Sequence, residues 1–328
     1  VDIASSDETA HALETMEYEY QHLRHTSTPA SARDISLERL AITLGIRSAH
    51  GTWIVLMTAD SAPTSPFWLR GIAEETKDWR TLLIGTTSYD GKTSRIIQFE
   101  QLWETILTYS HIRRGNAALL PLPCNVALRR TAFAEAGGFG ADLELRHGAV
   151  ELLANRISKP RSTAYLLTPQ TLVRHDAPTS KAVWQYNIIG RMSTLRHARH
   201  TCRLAIVETI LLIQPWLLII ALGVPFAMSI ITIAYTQAGE PIPNYILDLG
   251  RQAGAAAATD SSTFVAVTVV ASILTLMLLV YVAIKLHAVA KTARAVCVKS
   301  MPINFLYLEL KRPLTLMRRH IRWLCTIA

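Results

Sequence analysis

An acidic residue at the end of an apolar run is the clearest chemical feature of this 328-residue sequence. Residues 52–61 read TWIVLMTADS, so a largely apolar stretch ends at Asp60 and Ser61. A short, continuous apolar run is typical of a strand that is buried on both faces of a parallel sheet. Ligands of open α/β sheets bind just beyond the carboxyl ends of the strands, which makes Asp60 a candidate ligand-binding carboxylate. A lone Asp at such a position is more often a turn or cap residue, so the surrounding motifs have to decide.

Segments with helical and extended patterns alternate around this strand. Apolar residues recur at helical spacing over 35–49, and Gly51 ends that helix before the apolar run begins. The same reasoning predicts further helices over 5–24, 67–77 and 96–109, and extended segments over 81–89 and 125–129. This alternation predicts an α/β domain over residues 1–203 with a mainly parallel sheet, in which the run at 52–61 forms a central strand.

Three motifs carry a resemblance to a known family. They are VDIASSDET at 1–9, LAITLGIRSAHGTWIVLMTADS at 40–61 and NVALRRTAFAEAGGF at 125–139. In this order and spacing they resemble the family 2 glycosyltransferases, in a membrane-anchored bacterial branch, over residues 1 to about 200. The resemblance implies a GT-A-like (nucleotide-diphospho-sugar transferase) fold and an inverting transfer. The family's first strand and helix would precede Val1, so we expect the chain to be a fragment that lacks its N-terminus.

The resemblance assigns roles to three residues. Asp2 would contact the base or ribose of a nucleotide sugar, and Asp60 matches the second acid of the metal-binding D-x-D pair. The basic residue that the family places near the nucleotide falls on Glu38, with Arg39 next to it as its replacement. The implied cofactor is a divalent metal, Mg²⁺ or Mn²⁺, since a hard cation neutralises the charge that builds on the leaving diphosphate.

The sequence departs from the family where acids are expected. Thr58 replaces the first acid of D-x-D, and Ala149 and Val150 replace the paired acids that follow a glycine and include the general base. Mg²⁺ needs only one or two protein carboxylates beside substrate phosphates, so Asp60 alone can suffice. Glu151 is the nearest acid and the provisional base. A solvated helix residue is an equally good interpretation of Glu151, because one position on a helix rotates a side chain by about 100°.

An aromatic and a basic residue mark the predicted acceptor side. Trp184 and Arg191 match a segment of the same branch, although the basic cluster expected between them reads Asn-Ile-Ile-Gly here. Trp184 is a candidate sugar platform. A membrane-interface anchor is at least as good an interpretation of this residue.

The second half of the chain is organised around two apolar stretches. Half of all residues are hydrophobic and only 18% are charged, and the apolar excess falls after residue 203. We predict transmembrane helices over 204–235 and 263–284, joined by an extracytoplasmic loop over 236–262. The tail over 285–328 is basic and contains an amphipathic helix that suits a membrane interface. The four cysteines have no metal-ligand spacing and indicate reduced thiols in a cytosol-facing protein.

Charge favours a membrane over nucleic acid as the partner. The net charge of +8 is concentrated in the tail, next to an apolar stretch, which is typical of contact with an anionic membrane surface. Basic residues flank both predicted spans on their outer sides. The positive-inside rule therefore places the α/β domain in the cytoplasm, at the plasma (inner) membrane.

Three hypotheses of function follow. The first is a membrane-anchored glycosyltransferase that moves a sugar from a nucleotide-sugar donor to a lipid-linked or polysaccharide acceptor. The second is a catalytically inactive scaffold that holds envelope-assembly proteins at the membrane, as the lost acids indicate. The third is a transporter-like protein, which two spans without an intramembrane charge pair disfavour. The sequence does not identify the donor sugar, the acceptor or the pathway.

The charge asymmetry predicts a topology that cysteine labelling tests. With the native cysteines removed, a membrane-impermeant thiol reagent on intact cells should label Gln237→Cys and spare Ser300→Cys, because 236–262 lies outside and the tail inside. Labelling of Ser300→Cys alone would reverse the orientation and remove the domain from cytoplasmic nucleotide sugars.

Overall fold

The chain divides into two compact units. A computed structural model describes residues 1–29, 35–89, 93–113, 124–140, 142–176, 261–295 and 307–311, together with single positions between 190 and 238. The first unit comprises Val1–Leu204 and Thr292–Ser300, and the second comprises Ala205–Lys291 and Met301–Ala328. All strands of the described residues belong to the first unit, as do the candidate acids.

Seven α-helices have defined bounds in the described residues. They are α1 (Thr9–Glu19), α2 (Leu37–Ser48), α3 (Trp68–Ala73), α4 (Arg95–Arg113), α5 (Arg130–Glu135), α6 (Ala149–Ile157) and α7 (Ser261–Ala295). Helix α2 is stabilised at its ends by capping and by charge. Ser36 accepts a hydrogen bond from the Arg39 backbone N–H at the helix start, and Glu38 and Arg47 lie at the ends that suit their charges. Helix α1 buries no residue and is shorter than predicted.

The strands form two mixed sheets. They are β1 (Trp53–Leu56), β2 (Ser61–Pro63), β3 (Leu82–Gly85), β4 (Thr87–Tyr89), β5 (Val126–Arg129), β6 (Thr163–Leu166) and β7 (Val173–His175). One sheet has the order β1-β5-β3-β6 and the other the order β2-β7-β4. The predicted α/β content is therefore confirmed for the first unit.

The prediction of a mainly parallel sheet is wrong. Strand β5 runs antiparallel to both β1 and β3, and β7 runs antiparallel to β2. Only the pairs β3–β6 and β4–β7 are parallel among the described strands. The sequence pattern missed this because a short apolar run records burial, and a strand buried between two neighbours looks the same in either direction.

The strand that is buried on both faces is β3, and the prediction that assigned this place to the run at 52–61 is wrong. All four residues of β3 are buried, whereas β1 buries only Ile54 and leaves Trp53, Val55 and Leu56 partly exposed. The reason is the sheet order, in which β1 lies at an edge and β3 lies between β5 and β6.

Helices cover both faces of the four-stranded sheet. On one face, Leu82 and Ile84 pack with Leu153 of α6 in the larger core cluster. On the other face, Leu83 packs with Trp68 of α3 in a smaller cluster. Side chains alternate between the two faces along a strand, so the two clusters together give a three-layer α/β/α arrangement.

Helix α7 is 35 residues long, and its residues up to Lys291 belong to the second unit. It contains the predicted span 263–284. Within the second unit, Lys285 on this helix forms an ion pair with the buried Glu309. Over the residues described with their side chains, which include only part of α7, no helix is both long and apolar enough to cross a membrane. The segments 204–235, 236–262 and 285–328 lie largely outside the described residues, and the spans stay predictions.

Two glycines with the same backbone angle give a matched stability test. Gly137 and Gly148 both have φ near +72°, but a Cβ on Gly148 would lie 2.3 Å from Thr194, whereas Gly137 has open space around it. We expect Gly137→Ala to lower the free energy of unfolding by about 1 kcal/mol through backbone strain alone. Gly148→Ala should lower the free energy of unfolding by about 2 kcal/mol more than Gly137→Ala does, because Thr194 has to move. Urea denaturation of both variants measures the difference, and equal losses would contradict the packing of Thr194 against α6.

Candidate functional site

Several chain segments converge at one edge of the four-stranded sheet. The carboxyl ends of β1, β3 and β6 meet here with the start of β5, since Leu56 pairs with Val126 and Gly85 pairs with Leu166. The edge contains Asp60 and the residues that lead into β5. The loops that follow these three strands therefore begin close to one another, as expected for a ligand-binding edge.

Asn125 holds this edge together. Its side-chain Nδ2 donates hydrogen bonds of 2.9 Å to the carbonyls of Thr86 and Thr171, so it connects the end of β3 to a short 3-10 helix at Pro169–Thr171. Gly85 makes room for the amide, because a Cβ there would lie 2.2 Å from Asn125 Nδ2. The family-like motif at 125–139 thus begins with a residue that fixes the loops of the site.

Asp60 lies at the junction of β1 and β2. Its side chain is 55% exposed, and its backbone carbonyl accepts a 2.9 Å hydrogen bond from the Asp176 N–H. Its Oδ1 lies 3.3 Å from Nδ1 of His175. That ring nitrogen is buried and makes no hydrogen bond in the described part of the chain. Sequence reasoning missed His175, because its proximity to Asp60 depends on the pairing of β2 with β7.

Thr58 occupies the position of the first D-x-D acid, and its polar groups form a local turn. The Thr58 hydroxyl donates to Ser61 Oγ at 3.2 Å, and the Ser61 hydroxyl donates to the Thr58 carbonyl at 2.7 Å. The Ser61 backbone N–H also reaches that carbonyl at 3.1 Å. Thr58 therefore shapes the backbone before Asp60.

Helix α6 accounts for the missing acids and positions Glu151. Ala149 and Val150 are almost fully buried in the larger core cluster, where ionised carboxylates would be costly. Glu151 is partly exposed in the first turn of the same helix, where the helix dipole favours a negative charge. The helix starts at Gly148, which lacks a side chain and adopts the left-handed conformation.

Cys124 is a buried thiol two residues before β5. Burial raises the pKa of the Cys124 thiol to about 12, and the negative charges of Asp60 and Glu151 add to the effect. The raised pKa keeps this cysteine in its unreactive thiol form at neutral pH.

Arg39 is fully buried on α2. Its guanidinium donates to the carbonyls of Leu145 and His147, the latter at 2.8 Å, and lies 5.7 Å from the centre of the Phe139 ring. Burial lowers the pKa of Arg39, whereas the negative charges of Glu38 and Glu151 raise it. The side chain anchors the loop that leads into α6, and its predicted contact with a nucleotide stays a prediction.

Asp2 is buried and lies in an isolated parallel bridge with Ser27. Its carboxylate accepts a 3.1 Å hydrogen bond from the Ser5 backbone N–H and a second bond from the Ser5 hydroxyl. Ala4, between them, adopts a positive φ of 48°. This turn orders the start of the chain next to the carboxylate.

Trp184 and Arg191 lie outside the described residues. Of the nearby residues that the structure describes, Gly190 lies next to His147, since an added Cβ would be 3.0 Å from that ring, and Thr194 packs against Gly148.

The residues that fit a divalent metal are Asp60 and His175. An exposed carboxylate beside a buried imidazole nitrogen without a hydrogen bond provides one oxygen and one nitrogen donor. Among the described residues no group of three His, Cys, Asp or Glu side chains can hold a metal. A metal here would therefore take its remaining ligands from substrate phosphates and water.

A separate cavity of about 580 Å³ lies between α2 and α5. Its lining is largely apolar, includes Phe133 and Phe139, and carries Arg47 and Arg130. None of the candidate acids lines it.

Comparison with protein-family models and with curated proteins finds no match for this chain. The resemblance to the family 2 glycosyltransferases therefore continues to rest on the three motifs and on the residues that they identify.

Two arginines on α2 test the anchoring role of Arg39. Lysine at position 39 keeps the charge but loses the forked geometry that serves two carbonyls. We expect Arg39→Lys to lower the free energy of unfolding by about 3 kcal/mol, because at least one buried charge-assisted hydrogen bond is lost. The exposed Arg47 gives the control, and Arg47→Lys should change stability by less than about 0.5 kcal/mol. Chemical denaturation measures both, and equal effects would contradict the anchoring role.

Proposed function

We propose that this protein is an inverting, membrane-anchored glycosyltransferase. It transfers a sugar from a nucleotide-sugar donor to a lipid-linked or polysaccharide acceptor at the cytoplasmic face of the plasma membrane. The observation that carries the proposal is the position of the exposed Asp60 carboxylate after β1, at the edge of a helix-covered sheet where the carboxyl ends of β1, β3 and β6 meet. The ordered motifs supply the reaction class, and the apolar stretches with their basic flanks supply the location.

The donor half of the proposed site is built around Asp60. This carboxylate projects into solvent after β1 and is free to hold a divalent metal that also contacts the donor diphosphate. Bound metal supplies charge neutralisation for the departing nucleoside diphosphate. Asp2 orients the nucleotide, and the hydrogen bonds from Ser5 fix the direction of its carboxylate.

The acceptor half is built around Glu151. In direct displacement, the acceptor hydroxyl attacks the sugar carbon from the face opposite the leaving diphosphate, and a base takes the hydroxyl proton. Glu151 is the carboxylate in reach of that role, since Ala149 and Val150 are apolar and buried. Arg39 acts as a positioning residue, because it holds the carbonyls of the loop from which α6 starts. The segment with Trp184 and Arg191, which lies outside the described residues, is the proposed acceptor-binding surface.

A second function is favoured by a specific observation. Ala149 and Val150 belong to the core, and the Thr58 hydroxyl is hydrogen bonded within a turn, so the lost acids are replaced by residues with structural roles. A non-catalytic scaffold for envelope-assembly proteins fits that pattern. Such a scaffold keeps the fold and the membrane location without sugar transfer or donor hydrolysis.

Nucleotide binding and turnover by the full-length protein separate the two functions. Calorimetry should show UDP or GDP binding that depends on Mn²⁺ or Mg²⁺. Asp60→Asn should weaken that binding at least about tenfold, because the metal loses a ligand. Glu151→Gln should leave binding unchanged and lower transfer by about 10²–10⁴-fold, because the base is lost.

Asp78→Asn is the matched control, since Asp78 is an exposed acid outside the site. It should change neither nucleotide binding nor transfer. Unchanged turnover in Glu151→Gln would reject the base assignment. A folded protein without metal-dependent nucleotide binding, together with a stable co-purifying partner, would establish the scaffold in place of the enzyme.

A further inference from the structure

The imidazole of His175 occupies an unusual position beside Asp60. Its Nδ1 lies 3.3 Å from Asp60 Oδ1, within ion-pair range, yet this buried nitrogen makes no hydrogen bond in the described part of the chain. The distance is short enough for a hydrogen bond, so the direction of approach is what prevents one. A buried polar atom without a partner costs about 1–3 kcal/mol and calls for an explanation.

Two strands fix the backbone of His175. In the three-stranded sheet it pairs with Ser61 of β2 on one side and with Tyr89 of β4 on the other. The Tyr89 ring lies 5.5 Å from the imidazole, centre to centre, and limits its rotation. The register places the residue that follows Asp60 directly opposite His175. The closeness of the two side chains is thus a consequence of strand pairing, and donors held on strands are well suited to a defined ligand geometry.

The spacing of the two donors matches a shared metal ion. Ligands that bind an octahedral ion at about 2.1 Å and at right angles are about 3 Å apart. The Asp60–His175 separation is close to this value. The Asp60 side chain is 55% exposed and the His175 side chain 19% exposed, so the carboxylate has room to turn and admit an ion to the ring nitrogen.

We propose that His175 Nδ1 and the Asp60 carboxylate form the ligand pair for the donor-binding metal, and that His175 takes over the ligand position lost at Thr58. This proposal rests on the proposed glycosyltransferase function and adds a residue to its site. Diphosphate oxygens and water complete the coordination. Of the two implied metals, a nitrogen ligand favours Mn²⁺ over Mg²⁺.

Pulsed electron paramagnetic resonance of the full-length protein with Mn²⁺ and UDP or GDP tests the pair. Wild-type protein should show the ¹⁴N coupling of a directly bound imidazole. His175→Ala should lose this coupling and bind Mn²⁺ at least about tenfold more weakly. His175→Asp supplies an oxygen ligand instead, and it should recover Mn²⁺ binding without the coupling and shift the preference toward Mg²⁺.

His11→Ala is the control, because His11 is an exposed histidine on α1 with 84% of its side chain accessible. It should keep both the coupling and the affinity, and circular dichroism verifies the fold of every variant. Mn²⁺ binding that requires Asp60 but gives no ¹⁴N coupling would overturn the role of His175. It would leave the glycosyltransferase proposal intact. Absence of any Mn²⁺-dependent nucleotide binding would overturn both. Coupling that persists in His175→Ala would assign the nitrogen ligand to another residue and also overturn the inference.

Discussion

The candidate site depends on one buried amide. Asn125 is 2% exposed and gives both of its described hydrogen bonds to backbone carbonyls, one at the end of β3 and one in the 3-10 helix before β7. The absence of a side chain at Gly85 makes this position available to the amide. Removal of the amide would leave the Thr171 carbonyl without its described donor, at a cost of about 1–3 kcal/mol, whereas the Thr86 carbonyl would keep the hydrogen bond from the Val173 N–H. Asn125 thus connects the end of β3 to the 3-10 helix that precedes β7, the strand that carries His175.

Charge around the start of α6 is balanced over several elements. Arg39 is a buried cation, and burial of such a group is tolerated only when partners compensate it. Carbonyls supply part of the compensation, and the negative charges of Glu38 and Glu151 supply a further part. Burial raises the pKa of Glu38, and the positive charge of Arg39 opposes that shift. Glu151, the residue that the transferase proposal needs as a base, thus also contributes to the charge balance of the fold.

The replaced acids do not all have the same meaning. Ala149 and Val150 pack in the core, and this explains their apolar character without reference to catalysis. Thr58 shapes a turn before Asp60, and His175 from another strand lies 3.3 Å from the Asp60 carboxylate. An enzyme with a rearranged metal site and a non-catalytic scaffold with the same fold are both compatible with the residues at these positions. The enzyme and the scaffold differ in whether Asp60 and His175 together bind a metal ion.

The sequence predicted several local elements and the candidate residues along the chain. The apolar run before Asp60 predicted β1, and the helical spacing over 35–49 predicted α2. These features follow from interactions among near neighbours, which a linear pattern records. Tertiary structure alone decided the antiparallel insertion of β5, the edge position of β1, the burial of Arg39 and the meeting of His175 with Asp60. Each of these depends on which distant segments pair. A short apolar strand is compatible with several partners and with either direction, so the choice is made only when the whole core packs.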